Sequence, residues 1–182
     1  MRVIAGQYKG RILACPKGEA ARPTTDKVKE ALFGVLQFQI EGTRVLDAFA
    51  GSGALGIEAL SRGAAHVDFI ERDPQCLRAL TENLKMVEDK DSFRVLKGNT
   101  MTLLPTLGKF DMMLLDPPYD AGYYDKALKL AHESRILEPG AVIAMECRRK
   151  FDFLPPIEYN FTKRRDYGDI SLIFLEYEGC FA

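Results

Sequence analysis

Apolar positions follow two different spacings along the chain, and the spacing changes near residue 43. The first part contains one helical repeat at i, i+3, i+4 and i+7, formed by Val28, Ala31, Leu32 and Val35. This repeat predicts an amphipathic helix that begins at Thr24 or Thr25, either of which could be the N-cap, and ends near Gln37. The first part of the chain therefore carries a single helix.

Residues 2–16, ahead of this helix, predict two short strands around a turn near Lys9, and residues 17–23 predict a loop. We therefore expect residues 1–40 to form a small hairpin-plus-helix extension. Residues 41–182 form the main body in this interpretation.

From residue 43 onward, short apolar runs alternate with helical segments, which is typical of β-α-β units in a parallel sheet. The predicted strands are residues 44–49, 67–71, 93–97, 111–116 and 142–147. The predicted helices are residues 54–62, 74–86 and 123–134, the second with Asp73 as N-cap and Pro74 at its first position. The run 112–115 is continuously apolar, as expected for a strand covered by helices on both faces.

The end of the chain departs from this alternation. Residues 159–167 and 170–177 flank Gly168 and Asp169 and predict a closing antiparallel hairpin. Together the runs predict an α/β fold with a doubly wound, mostly parallel, seven-stranded Rossmann-like sheet and a C-terminal antiparallel hairpin. A length of 182 residues suits one domain of this kind.

A glycine-rich turn follows the first strand. Gly51, Gly53 and Gly56 fit the pattern G-x-G-x-x-G, which also occurs in dinucleotide-binding folds. Asp47 at the strand end would repel a pyrophosphate but could support a ligand that carries an ammonium and a sulfonium. This turn, with Phe49 as a further contact, therefore predicts S-adenosylmethionine as the cofactor.

Polar residues also follow the next two strands. Glu71 lies 18 residues after Gly53. An acidic side chain at this position can accept hydrogen bonds from the ribose hydroxyls of either NAD or S-adenosylmethionine. Asn99 and Thr100 follow the third strand, where a short polar side chain could contact the adenine amino group. An Asn after a Gly is equally typical of a plain turn.

The sequence Asp116-Pro117-Pro118-Tyr119 follows the apolar run at 110–115. Prolines restrict the backbone, so the Asp116 carboxylate and the Pro117 carbonyl can be aimed at one point. Two such acceptors suit the NH₂ group of a nucleobase, because they favour the geometry in which its nitrogen can attack. Tyr119 offers a face for base stacking.

The two turns would meet if strands 44–49 and 111–116 are neighbours, because ligands bind at the carboxyl ends of strands where strand order reverses. The combined pattern predicts an enzyme that methylates an exocyclic amino group of a nucleobase.

Charge is distributed unevenly. Residues 1–40 carry seven Lys and Arg against three Asp and Glu, whereas residues 41–182 carry 18 against 23. A basic leading segment suggests a polyanionic partner, although a solvated basic surface would have the same composition. The candidate nucleic-acid-binding residues are Arg2, Lys9, Arg11, Lys17 and Arg22.

The four cysteines are scattered and have no neighbouring histidine, so we expect reduced thiols and no metal site. The chain has neither an apolar run of membrane-spanning length nor an apolar leader, which leads us to expect a cytoplasmic protein.

The sequence resembles the bacterial RsmD family in the segments RVIAG, KGR, RPTTDKVKEALF, DAFAGSGALG and DPPY. The resemblance implies a class I S-adenosylmethionine-dependent methyltransferase that acts on the N2 of a guanine in small-subunit (16S) ribosomal RNA, either free or in a partly assembled subunit. It assigns cofactor contacts to Asp47, Gly51, Gly53 and Glu71, and the target amine to residues 116–119. Asn99 stands where many related methyltransferases have Asp.

Three alternatives remain, and the intact pair of motifs disfavours one of them, a catalytically silent nucleic-acid-binding module. A DNA adenine-N6 or cytosine-N4 methyltransferase would use the same chemistry, although 182 residues leave no room for a separate DNA-recognition domain. An NAD-dependent oxidoreductase could use the same glycine turn, but it would leave residues 116–119 without a role.

Overall fold

The computed structural model describes residues 1–16, 26–118 and 122–179. The strands are β1 (Arg44–Asp47), β2 (His66–Glu71), β3 (Phe93–Lys97), β4 (Phe110–Leu115), β5 (Leu137–Arg148), β6 (Tyr159–Tyr167) and β7 (Ile170–Tyr177). The helices are α1 (Asp26–Leu36), α2 (Ala54–Ser61), α3 (Pro74–Asn83), α4 (Thr100–Leu103) and α5 (Tyr123–Glu133), and short 3₁₀ turns cover Leu84–Met86, Lys90–Ser92 and Leu104–Thr106.

The seven strands form one sheet in the order β3-β2-β1-β4-β5-β7-β6. The first five are parallel, and β7 pairs antiparallel with both β5 and β6. Helices α1 and α2 pack on one face of the sheet and α5 packs on the other. The predicted doubly wound fold and its closing hairpin are confirmed, and β1 and β4 are neighbours as expected.

Some element bounds differ from the prediction. Strand β5 begins five residues earlier than expected. Pro139 and Gly140 by themselves suggest a turn, but the pairing of β5 with β4 contains a register shift that accommodates them within the strand. The predicted helix 74–86 ends as a helix at Asn83 and continues as a 3₁₀ turn. Helix α4 was not predicted, since four residues are too few for a periodic pattern.

The N-terminal segment differs more. Instead of two strands it has a single antiparallel bridge between Arg2 and Ile12. The backbone N–H groups of Ile4 and Ala5 donate to the Glu58 carboxylate in α2, so they are not available for a strand ladder. The predicted loop at 17–23 and the N-cap candidates Thr24 and Thr25 lie outside the described residues.

The N-terminal segment is nevertheless well packed. Val3, Tyr8 and Leu13 are buried in the same apolar cluster as α1 and α2. Within the described ranges, no helix is long and apolar enough to cross a bilayer. Whether residues 1–40 and 41–182 act as separate functional units stays a prediction.

Glu58 holds this arrangement together from inside α2. Its two oxygens contact the backbone N–H groups of Ile4 (2.8 Å) and Ala5 (3.0 Å), Lys29 Nζ (3.3 Å) and Arg62 Nε (2.8 Å). The side chains of Lys29 and Glu58 are fully buried. Burial lowers the pKa of Lys29, and the neighbouring Glu58 carboxylate opposes that effect. The buried ion pair therefore joins α1, α2 and the N-terminal segment.

Replacing Glu58 with Ala should lower the free energy of unfolding by about 3–5 kcal/mol, because Lys29 would remain buried without its carboxylate partner. Urea titration followed by circular dichroism measures this change. The matched control is Glu82→Ala, since Glu82 forms an exposed pair with Lys85 at 2.5 Å, and it should cost only about 0–1 kcal/mol. Equal losses in the two variants would contradict the role assigned to Glu58.

Candidate active site

The carboxyl ends of the parallel strands open into one cavity of about 580 Å³, a volume typical of small-molecule sites. The predicted residues that line it are Asp47, Phe49, Gly51, Glu71, Asn99, Thr100, Asp116, Pro117 and Pro118. The structure therefore brings the two predicted motifs to one place. In the sheet, Asp47 pairs with Leu114, two residues before Asp116.

The glycine turn between β1 and α2 needs residues without side chains. Gly53 is the N-cap of α2 with φ 83°, a left-handed conformation that favours glycine. At Gly56, a Cβ atom would lie 2.2 Å from the ring of Phe69 and 3.0 Å from Asp47 Oδ2. Gly53 itself shapes the turn and does not line the cavity.

Asp47 lies beneath this turn and is only 2% exposed. Its Oδ2 accepts a hydrogen bond from the Gly56 N–H at 2.9 Å. Burial raises the pKa of Asp47 to about 7, the Gly56 hydrogen bond opposes the rise, and the nearby Glu71 carboxylate adds to it. A desolvated carboxylate beside a second carboxylate favours a positively charged ligand.

Glu71 is half-buried at the end of β2, and its carboxylate is anchored by the backbone. Its Oε2 accepts from the Gly51 N–H at 2.7 Å, and its Oε1 accepts from the N–H groups of Arg72 (2.6 Å) and Asp73 (2.7 Å). Asp73 is the N-cap of α3, as predicted. Sequence reasoning placed Glu71 at the cavity but did not show that it also fixes the glycine turn.

Asn99 and Thr100 also make hydrogen bonds within the chain. Asn99 Oδ1 accepts from the Met101 N–H at 2.9 Å and caps α4. The buried Thr100 hydroxyl donates to the Ala48 carbonyl at 2.6 Å, which ties α4 to the loop after β1. The ring of Phe49 packs against Tyr123, with centroids 5.5 Å apart.

Pro117 is buried, Pro118 is exposed, and the half-buried Asp116 lies beside them. Tyr119 lies outside the described residues, so its predicted stacking role stays a prediction. Residues that line the cavity but were not predicted as site residues include Tyr123, the first residue of α5, and Arg148, the last of β5. The rule that ligands meet strand ends could have identified Arg148.

Of the basic N-terminal residues, the described ones do not line the cavity. Arg2, Lys9 and Arg11 are exposed, and Arg2 pairs with Asp26 at 3.4 Å. Lys17 and Arg22 lie outside the described residues. Other residues of the same segment, Met1, Cys15 and Pro16, do line the cavity.

Asn83 links this segment to the glycine turn. Its Oδ1 accepts from the Ala14 N–H at 2.7 Å, while its Nδ2 donates to the carbonyls of Ala14 (3.0 Å) and Ser52 (2.8 Å). Asn83 is 3% exposed, so these bonds are shielded from water. Among the described residues, no group of three or more His, Cys, Asp or Glu side chains could hold a metal ion.

Comparisons with known proteins identify relatives that match nearly the whole chain. A family model described as "Conserved hypothetical protein 95" matches residues 1–176. A relative from Haemophilus influenzae, named ribosomal RNA small subunit methyltransferase D, is 35% identical over 94% of this chain and 91% of its own length.

Solved structures show the same fold. The Escherichia coli protein yhhF, which carries a provisional methyltransferase name, has a TM-score of 0.89 and 34% identity, and the match covers 99% of both chains. A Thermus thermophilus 16S rRNA N2 G1207 methyltransferase in complex with AdoMet and guanosine has a TM-score of 0.68 and 22% identity, over 87% of this chain and 45% of its own. At that identity, the second match shows the fold alone.

Asp47 should make stability depend on pH. Because its folded-state pKa is raised to about 7 from 3.8, its stabilising contribution is complete below pH 3.8 and is lost as pH rises toward 7. Between pH 5 and 7, wild type should therefore lose about 2 kcal/mol relative to Asp47→Asn.

Urea unfolding at both pH values measures this difference. The control Asp152→Asn, which changes an exposed carboxylate, should follow wild type. Parallel behaviour of wild type and Asp47→Asn would show that the Asp47 carboxyl group does not titrate in this range.

Proposed function

The chain belongs to the RsmD family, whose model carries the description conserved hypothetical protein 95, and we propose that it uses S-adenosylmethionine to methylate small-subunit ribosomal RNA at the N2 of a guanine. One observation carries this proposal: the glycine turn and the Asp116-Pro117-Pro118 turn line the same cavity. Methyl transfer requires this proximity, because the cofactor and the amine must meet in line.

The charges around the cavity support a cationic cofactor. Its lining includes four carboxylates, those of Asp47, Glu71, Asp73 and Asp116, and two guanidinium groups, those of Arg72 and Arg148. An ammonium or sulfonium near Asp47 would favour the ionised carboxylate and offset the cost of its burial. The pyrophosphate of NAD would meet unfavourable charge here, which argues against the oxidoreductase alternative.

Glu71 is placed to bind the cofactor ribose. An ionised carboxylate offers about four lone-pair positions, and three backbone N–H groups already donate hydrogen bonds to the Glu71 carboxylate. One ribose hydroxyl can use the remaining position, whereas binding both would replace the bond from Gly51. We infer that ribose binding and the conformation of the glycine turn depend on each other.

Asn99 would lie at the adenine end of the cofactor. Because its Oδ1 already accepts from Met101, its amide nitrogen is the group best suited to a new contact, and that nitrogen donates. A donor fits a ring nitrogen of adenine better than the adenine amino group. This differs from the contact that the sequence pattern suggests.

The target side supplies acceptors for the amine. A guanine amino group is a poor nucleophile because its lone pair is delocalised into the ring. The Asp116 carboxylate and the Pro117 carbonyl would accept its two hydrogens, orient the lone pair and stabilise positive charge as it grows on nitrogen. The bound cofactor supplies the methyl group, and Asp116 can take the proton that the methylated nitrogen releases.

The proposal is tested by incubating the protein with labelled S-adenosylmethionine and one of three substrates: unmodified small-subunit RNA, partly assembled subunits or DNA. Digestion and nucleoside mass spectrometry then identify the product. We expect N2-methylguanosine from RNA or particles. A methylated adenine or cytosine from DNA would instead support the DNA methyltransferase alternative.

Asp116→Ala should lower the rate of methyl transfer by at least about 10²–10³-fold, because an acceptor for the amine is lost. Its fold and cofactor affinity should stay close to wild type, as shown by circular dichroism and calorimetry. The control Asp125→Ala removes an exposed carboxylate of α5 that does not line the cavity, and its rate should not change. Wild-type turnover by Asp116→Ala would refute the assigned role.

We propose that the basic N-terminal residues contact RNA phosphates. Replacing Arg2, Lys9 and Arg11 with Ala should weaken binding of a small-subunit RNA hairpin and flatten its salt dependence by about 0.7–0.9 in log-log slope per lost contact. Fluorescence anisotropy across a salt series measures both quantities. Arg2 should contribute least, because it already pairs with Asp26.

The control for this experiment is a triple variant of lysines that pair with nearby carboxylates, Lys85, Lys109 and Lys129. It changes the net charge equally and should bind RNA nearly as wild type does. If the N-terminal variant had the same RNA affinity and salt slope as this control, the basic N-terminal residues would not bind the RNA.

A further inference from the structure

We propose that a second basic surface binds phosphates of the RNA beside the target nucleotide, an inference that rests on the proposed function. This surface, the edge surface, consists of Arg148 at the end of β5, Lys150 in the turn that follows, and Lys163 and Arg165 on β6. It is separate in sequence from the basic N-terminal residues.

Register places the end of β6, which carries Arg165, at the same end of the sheet as the cavity. Arg148 pairs with Ile170 on β7, and Ile170 pairs with Tyr167 at the end of β6. The last residue of β6 and Arg148 therefore lie at the same end of the strands. Arg148 lines the cavity. Arg165 lies two residues from Tyr167 along β6, and Lys163 two residues further.

The edge surface and the N-terminal segment share one side of the sheet. Arg165 and Lys163 pair with Leu172 and Phe174, both of which belong to the apolar cluster that includes α1 and the N-terminal segment. Paired residues in neighbouring strands point to the same face. An RNA chain crossing the mouth of the cavity could therefore contact both basic segments.

The turn that follows Arg148 and contains Lys150 is anchored by Arg164. The Arg164 guanidinium donates to the carbonyls of Arg149 (2.6 Å) and Phe151 (3.4 Å), the Ser171 hydroxyl (3.0 Å) and the Asp166 carboxylate (3.1 Å). These bonds fix the turn before any ligand arrives, which lowers the entropy cost of binding. Arg164 is thus a positioning residue for the edge surface.

Local carboxylates neutralise this surface only in part. Asp166 pairs with Arg164 and also with Arg149 at 3.7 Å. The Ser171 hydroxyl and the Arg164 guanidinium lower the pKa of Asp166. In the ranges that the structure describes, no Asp or Glu forms an ion pair with Lys150, Lys163 or Arg165.

Phosphate groups of a nucleic acid are the ligands that fit the edge surface. A nucleobase that enters the cavity must leave its own phosphates, and those of its neighbours, outside the rim. Lys and Arg on that rim would contact the backbone without reading sequence. Since the whole chain has a net charge of −1, a local positive surface matters more than the total charge for such binding.

The test compares two triple variants of equal charge change. The edge variant is Lys150→Gln, Lys163→Gln and Arg165→Gln, and the control variant is Lys85→Gln, Lys109→Gln and Lys129→Gln. Arg148 is left unchanged because it lines the cavity. Binding of a fluorescent small-subunit RNA hairpin is measured by anisotropy across a salt series, and circular dichroism shows whether each variant is folded.

We expect the edge variant to bind RNA about 10-fold or more weakly at physiological salt, with a salt slope flatter by about two, while S-adenosylmethionine affinity stays at the wild-type value. The control variant should resemble wild type. The single variant Arg165→Gln should give a smaller loss of the same kind if the triple variant folds poorly.

Wild-type RNA affinity and slope in the folded edge variant would overturn the inference. The inference would also be overturned if the edge variant bound free RNA normally but methylated assembled particles more slowly. That result would mean that the edge surface contacts a ribosomal protein. Failure of the wild-type protein itself to bind or methylate RNA would remove the proposed function and this inference with it. Comparing wild type with the variant therefore separates the two failures.

Discussion

The parallel pairing of β1 with β4 is the constraint on which the rest of the site depends. It is the point where strand order reverses, so β1 continues into α2 on one face and β4 leads into α5 on the other. With Asp47 opposite Leu114, the two turns leave the sheet side by side. A one-residue slip in this pairing would exchange the faces of β4 and separate the turns.

The site combines rigidity with unfavourable charge. Backbone N–H groups hold Glu71 in place, and Gly56 holds Asp47, which keeps two carboxylates close together in a partly dry environment. Such an arrangement destabilises the empty protein at neutral pH and suits a cationic ligand. The apolar core and the buried Glu58 cluster provide the stability that this arrangement requires.

Much of this could be predicted from sequence, because spacing alone determines which residues face a sheet or helix and which follow a strand end. The hairpin bounds agree with prediction, and Asp47, Glu71 and Asp116 reach one cavity as expected. Contacts between distant segments could not be predicted. Glu58 accepts hydrogen bonds from the N–H groups that a hairpin would use, and Tyr123, which packs against Phe49, lines the cavity.

Asn83 connects the N-terminal segment to the glycine turn through hydrogen bonds with Ala14 and Ser52. A polymer that shifts the segment and a cofactor that shifts the turn would therefore act on the same buried side chain. Linkage is reciprocal: any factor by which RNA changes the affinity for cofactor is also the factor by which cofactor changes the affinity for RNA. In this way the Asn83 side-chain amide can couple the binding of the cofactor to the binding of the RNA.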